Sequence, residues 1–171
     1  MTIYTDRLEL RPTNENDLDI FFTLITNPYV RKYLLDDEIL NMDQVKDFLD
    51  ISINQFNSSH YGLWLIESRE THHAMGFTGL WQFFDEGQPQ LLYALLPQYT
   101  GYGFAIEAAS AIVNYVFTEL KFEQLIASCD EPNQSSQRLA EKLGMTRDKI
   151  ADRKDKRLYY YRLNKEEFLK R

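Results

Sequence analysis

Residues 91–117 read LLYALLPQYTGYGFAIEAASAIVNYVF. An apolar run breaks at Pro97, passes through Gly101 and Gly103, and becomes a long segment with helical period. In that segment Glu107, Ser110, Asn114 and Thr118 recur at steps of three or four, a narrow polar stripe on an otherwise apolar helix. The order is buried strand, glycine turn, buried helix. A helix that starts directly after glycines presents unpaired backbone N–H groups and the positive end of its dipole, which suits a phosphate or pyrophosphate. Two glycines also serve simply to let a tight strand-to-helix turn form. On physics alone both readings stand.

Composition bounds the rest. At 171 residues, a single domain over residues 1–171 is the default. Hydrophobic residues make up 44% of the chain and aromatics 14%, ample for an aromatic-rich core. The net charge of −7 argues against a nucleic-acid partner, which asks for a basic patch. An acidic surface attracts cationic small molecules or basic peptides, and it also simply keeps a protein soluble. The one cysteine, Cys129, excludes an internal disulfide, fits a reducing cytoplasm, and reads as a small core hydrophobe rather than a nucleophile. Neither an export signal nor a membrane-spanning run is found, so no membrane contact is expected. His60, His72 and His73 lack metal-like spacing and read as surface residues, so no metal is expected.

No repeat, linker or low-complexity segment divides the chain. Residues 5–11 alternate, with Leu8 and Leu10 on one side and Arg7, Glu9 and Arg11 on the other, a half-buried strand stopped by Pro12. Thr13 or Asn14 caps a helix running to about residue 26, with Leu18, Phe21, Phe22 and Ile25 inward. Pro28 opens a short second helix, and Asp43 a third carrying Val45, Phe48, Leu49, Ile53 and Phe56 at helical spacing. Residues 61–66 and 74–84 read as strands, the residues at 85–87 as a turn signal, and residues 90–96 as a third strand. Residues 124–130 alternate as a strand parallel to 90–96, joined to it by the 104–118 helix. Asn133 caps a helix whose inward residues are Ser136, Leu139, Ala140 and Leu143, ended by Gly144. Residues 145–150 and 157–163 form an antiparallel pair before a short tail helix.

The segment Gln98-Tyr99-Thr100-Gly101-Tyr102-Gly103 matches Gln/Arg-x-x-Gly-x-Gly/Ala. It thereby resembles the pyrophosphate loop of the GNAT N-acetyltransferase superfamily. The longer string from Leu96 to Ala108 resembles the branch containing the ribosomal-protein N-terminal acetyltransferases. A second match lies downstream. Pro132-Asn133-Gln134-Ser135-Ser136 with Glu141-Lys142-Leu143-Gly144-Met145 resembles the family's P-x-N-x-x-S…K-L-G-F. The element order β-α-α-α-β-β-β-α-β-α-β-β is that family's order. The resemblance spans nearly the whole chain and implies an α/β (α+β) GNAT fold, a mixed sheet of about six to seven strands flanked by helices.

That resemblance implies an acetyl-CoA-dependent enzyme that moves acetyl to an amine by direct attack. The acceptor would be a small-molecule amine or a protein N-terminus, and the protein a monomer or homodimer. Backbone N–H groups of Gly101, Tyr102, Gly103, Phe104 and Ala105, in the loop opened by Gln98, would hold the pyrophosphate. Backbone groups at Leu95 and Leu96 would pair with the pantetheine arm like an added strand and polarise the thioester carbonyl. The arm would lie where strands 90–96 and 124–130 splay, touched by Asn133. Lys142 would sit near the nucleotide phosphates, or be a solvated surface lysine.

Proton handling departs from the family. Relatives commonly carry a glutamate where this chain has Gln90, and a tyrosine where it has Ala140. In the N-terminal acetyltransferase branch a serine at the Ser136 position takes the acid's role, so Ser136 is the expected donor to the leaving thiolate; its plain reading is a small inward helix residue. Glu67 and Glu86, near strand ends, are candidate bases or ordinary exposed carboxylates. Gln90 and Ala140 also admit an alternative, a non-catalytic acyl-CoA-binding sensor or regulatory module. Residues 28–57 and the loop after Phe84 are expected to shape the acceptor pocket. Trp64, Trp81 and Tyr159-Tyr160-Tyr161 read as core, or as dimer contacts.

Overall fold

A computed structural model describes residues 1–83 and 86–171. Phe84 and Asp85 lie outside the described residues, and with them the predicted end of the 74–84 strand and the start of both the 85–87 turn and the loop after Phe84. Among the described residues one eight-stranded sheet runs through the chain. Its strands are β1 (Ile3–Tyr4), β2 (Leu8–Pro12), β3 (Leu63–Ser68), β4 (Ala74–Trp81), β5 (Gln90–Leu95), β6 (Gln124–Asp130), β7 (Thr146–Arg153) and β8 (Lys156–Asn164). Its spatial order is β1-β2-β3-β4-β5-β6-β8-β7. The helices are α1 (Leu18–Thr26), α2 (Pro28–Leu34), α3 (Met42–Ser59), α4 (Phe104–Thr118), α5 (Gln134–Lys142) and α6 (Lys165–Leu169).

The sheet holds more strands than the sequence suggested. The addition is β1, two residues pairing antiparallel with β2 as Ile3↔Leu10 and Tyr4↔Glu9, too short to show a period. Pro12 ends β2 from within rather than stopping the strand before it. It lies beyond the reach of β1 and faces only Trp64 of β3, so its missing N–H leaves no ladder bond unmade. The first helix opens with a 3-10 turn at Glu15–Asp17, closed by a capping box between Asn14 and Asp17.

The alternation of the central strands sorts side chains to two faces. Leu91 and Leu95 of β5 and Leu125, Ala127 and Cys129 of β6 pack with Ala108, Ile112 and Val116 of α4 and Leu139 of α5. Leu92, and partly Ala94, pack instead with Phe21, Val45 and Leu49 of the α1–α3 layer. The polar stripe predicted on α4 stays outside: Ser110 and Asn114 are exposed while Ala108, Ala109, Ile112, Val113 and Val116 are buried. Trp64, Trp81, Tyr160 and Tyr161 belong to the core, while Tyr159 is only partly buried and its hydroxyl donates to Glu131 at 2.7 Å. No described helix is long and apolar enough to cross a membrane.

Candidate active site

The sheet opens in its middle. Strands β5 and β6 are parallel neighbours, yet their ladder is the single pair Gln90↔Ile126. From there to Leu95 the β6-facing edge of β5 has no partner strand among the described residues. The opening lies in a cleft of about 1240 Å³ whose wall includes Leu91–Leu95, Gly101, Gly103, Phe104 and Ala105. Beyond the opening the wall continues with Ser128, Cys129, Asn133, Ser136 and Lys142. A slot edged by free strand N–H and C=O groups can take an extended amide-bearing chain as a further strand.

At one end of the slot lies the glycine turn. Gly101 and Gly103 have φ of +84° and +83°, a backbone region that side chains resist, and a Cβ at Gly101 would meet nothing. Gly103 is the N-cap of α4, and no side chain caps that end. The first N–H groups of a 15-residue helix therefore lie open at the cleft wall, with Glu107 the acidic side chain of that turn. The observed geometry fits a diphosphate. The turn is braced from β2's approach. Arg7 Nη1 donates to the Tyr102 carbonyl at 3.0 Å, and Arg7 Nε and Nη2 meet Glu107 Oε2 at 2.7 Å. Its guanidinium also lies 4.3 Å from the centre of the Phe104 ring. Burial pushes the Glu107 carboxyl up, but hydrogen bonds from Thr5 and from the Arg7 amide and side chain outweigh it and hold Glu107 below the usual carboxylate range.

At the other end two hydroxyls meet. Asn133 Oδ1 accepts from the Ser136 amide at 3.2 Å and caps α5, which fixes where Ser136 sits. The Tyr93 phenol lies 2.9 Å from Ser136 Oγ and 3.0 Å from the Ser136 carbonyl. Burial drives the phenol's pKa well above its ordinary value, against the opposing pull of Ser136, so Tyr93 stays a donor. The phenol has one proton for two acceptors, the Ser136 carbonyl and Ser136 Oγ. When it goes to Oγ the serine proton is free for a third partner, and when it goes to the carbonyl the serine donates to Tyr93. Cys129, on the same face, is buried; that burial pushes its thiol up to about 11 although a hydrogen bond with Ser136 pulls the other way. It is a core thiol, as expected.

A family model for the acetyltransferase (GNAT) domain matches residues 7–146. This chain belongs to the GNAT acetyltransferase family. The Bacillus subtilis protein YkkB is 32% identical to it over 148 residues, 84% of each chain. Among solved structures, an acetyltransferase from Agrobacterium tumefaciens superposes with a TM-score of 0.83 at 24% identity, over 96% of this chain and 94% of that one. RimL, the ribosomal L7/L12 α-N-protein acetyltransferase in complex with coenzyme A, gives 0.82 at 14% identity over 96% and 98%. The spermidine N-acetyltransferase of Vibrio cholerae, in complex with CoA and spermine, gives 0.80 at 16% over 96% and 99%. At these identities the structures speak for the fold. This GNAT protein is an acetyl-CoA-dependent acetyltransferase, with acetyl-CoA as cosubstrate.

Of the residues the sequence singled out, Leu95, Gly101, Gly103, Phe104, Ala105, Asn133, Ser136 and Lys142 of this GNAT enzyme share the one cleft. Gln98, Tyr102 and Leu96 are not on its wall: Gln98 is exposed, and the Tyr102 side chain is 67% exposed. Lys142 is exposed at the rim. Glu67 is held by Arg11 at 2.9 Å, beside Asp17, and does not line the cleft. Glu86 turns inward, its Oε1 2.8 Å from the Tyr160 hydroxyl. His60, His72 and His73 are exposed. Sequence reasoning missed Tyr93 and Arg7. A signal existed for the first: a tyrosine on the inward face of an apolar run must find its hydroxyl a partner.

Proposed function

We propose that this enzyme acetylates a primary amine by direct attack on acetyl-CoA, with residues 1–171 acting as one catalytic domain in the cytoplasm. The observation that carries the reading is the opening between β5 and β6, bounded by the uncapped start of α4 at one end and the Tyr93–Ser136 pair at the other. The diphosphate lies on the N–H groups of residues 101–105, and the pantetheine arm enters the slot along Leu95 and past Asn133. Leu96 does not make the pairing expected of it, because its amide donates to the Met75 carbonyl and its carbonyl accepts from the Tyr99 amide. Lys142 faces the nucleotide phosphates at the rim. The arriving ammonium gives one proton to solvent, and its freed lone pair forms the N–C bond. The C–S bond breaks with its pair on sulfur, and nitrogen sheds a second proton through water. Ser136 donates a hydrogen bond to the departing thiolate, which ends as the thiol, so one proton in net passes to solvent. The net charge of −7 supports a cationic acceptor such as a polyamine, a basic N-terminus or an antibiotic amine.

The test is release of free thiol from acetyl-CoA with a panel of spermidine, an N-terminal peptide, an amino acid and an aminoglycoside. Release with at least one amine is expected, and Ser136→Ala should lower kcat about ten-fold, the loss of one hydrogen bond to a charged group, with acetyl-CoA affinity by calorimetry unchanged. Tight acetyl-CoA binding with no release from any amine would leave the sensor reading instead. Unaltered kcat in Ser136→Ala would remove that serine from the chemistry.

A further inference from the structure

The two faces of the sheet divide the reaction at the slot. Tyr93, Ser136 and Cys129 lie on the α4–α5 face. Gln90, Ser128, Asp130 and Tyr160 alternate to the other face, towards α1–α3. Ser128 is the first side chain on that second face beyond Ile126, where β5 and β6 part, and it lines the cleft.

Its hydrogen-bond polarity is set from behind. Gln90 is 0% exposed, so both ends of its amide must be satisfied inside the protein. Glu86 Oε2 lies 2.6 Å from Gln90 Nε2, and a carboxylate accepts only, so it settles which end of the amide faces it. Gln90 Oε1 is then the atom turned to Ser128, 2.6 Å from its Oγ. An amide oxygen accepts only, so the Ser128 proton is committed to Gln90. What Ser128 offers the cleft is lone pairs. Glu86 is itself anchored by the Tyr160 hydroxyl, which burial and then the carboxylate keep protonated, and by Arg153 at 3.4 Å.

We infer that Ser128 Oγ is the acceptor for an N–H of the attacking amine, and that Glu86 and Gln90 are positioning residues that fix it in that role. The inference rests on the amine acetylation proposed above. Ser128 takes no proton. It holds one N–H so that the nitrogen lone pair points into the slot, while the proton shed in the reaction goes to water. The same group refuses a hydroxyl acceptor less strictly than it refuses an atom with no hydrogen to give, so the site favours N–H and O–H nucleophiles and disfavours thioethers or tertiary amines.

The experiment is steady-state acetylation of the best amine by the full-length protein and by Ser128→Ala, Ser128→Thr, Glu86→Gln and the Ser128→Ala/Glu86→Gln pair, with acetyl-CoA affinity measured separately by calorimetry. Ser128→Ala should lower kcat/KM for the amine about ten-fold and leave acetyl-CoA affinity alone. Ser128→Thr, which keeps the hydroxyl, should restore most of it. Glu86→Gln lets the Gln90 amide turn, so it should lower kcat/KM too, and the double variant should be no worse than Ser128→Ala alone. Full activity in Ser128→Ala, equal loss in Ser128→Thr, or additive losses in the pair would overturn the inference. A parent protein that binds acetyl-CoA but acetylates no amine overturns it together with the activity, whereas loss of acetyl-CoA binding in the parent strikes the function reading first.

Discussion

Arg7 reads in the sequence only as a polar member of an alternating strand, yet it joins the N-terminal segment to the glycine turn. Its side chain reaches Glu107 in the first turn of α4 and the carbonyl of Tyr102, at sequence separations of 100 and 95. Glu107 takes four contacts of this kind, from Thr5 Oγ1 at 2.6 Å, the Arg7 amide at 2.9 Å, and Arg7 Nε and Nη2 at 2.7 Å. The brace leaves the helix N–H groups themselves free, because the carboxylate is used on the Arg7 side. Glu107→Gln should therefore weaken acetyl-CoA binding several-fold by calorimetry and lower stability at pH 7 by ~1 kcal/mol, the net value of hydrogen bonds to a charged group discounted for a half-exposed arginine. The pH sign follows from the depressed carboxyl. Its contribution is present above the unfolded-state value, near 4.5, and is lost as pH falls through the lower folded value. Thermal unfolding should show the full gap between parent and variant at pH 7 and a closing gap below about pH 4; a gap constant across that window would mean the carboxylate's charge is not what braces the turn.

Among the elements, those written as strong periods were legible and those held by partners were not. The alternation of 124–130 and the helical repeat of 104–118 gave β6 and α4 with their faces, because a buried face imposes its period on the sequence. The 3-10 turn before α1 and the two-residue β1 have no period to read. The rim of the cleft belongs to this second kind. Lys156, at the start of β8, holds Asp36 after α2 at 2.6 Å and Asp130 at the end of β6 at 3.1 Å. One ammonium thus ties three elements across the mouth of the cleft, and Asp36 sits at φ +53°, in the left-handed region that aspartate tolerates better than most side chains. A single exposed pair contributes ~0–1 kcal/mol, so the strap orders the rim more than it stabilises the fold. Lys156→Met should speed amide hydrogen exchange in residues 28–41 and raise the amine KM several-fold, with acetyl-CoA affinity unchanged. Unaltered exchange there would show that the rim is held by packing alone.

For the molecule as a whole, composition spoke to charge and core, and the motifs spoke to the cosubstrate and to Ser136, but neither spoke to the side chains that meet Ser136 or Gln90 across the sheet. Tyr93 with Ser136, and Ser128 with Gln90, meet across 43 and 38 residues, and no spacing rule in a single sequence records such meetings. The whole-molecule property that sequence does record is the net charge of −7. Its consequence depends on the acceptor. An acidic surface draws a polycation from distances that salt screens, and the Debye length shrinks from about 10 Å at 0.1 M towards 3 Å at 1 M. The cleft wall subtracts from the pull, since Asp36, Asp130 and Asp155 share it with Lys32, Arg138, Lys142, Arg153, Lys154 and Lys156. With three acidic and six basic side chains there, the wall itself does not attract a polycation, and the acidic surface beyond it decides. For spermidine, kcat/KM should fall several-fold as sodium chloride rises from about 0.05 to 0.5 M, through KM and not kcat. A neutral-bodied amine such as an N-terminal glycyl peptide should change little over the same range. Equal salt dependence for the two would place the acceptor's recognition in contacts inside the cleft, and the acidic surface would then serve solubility alone.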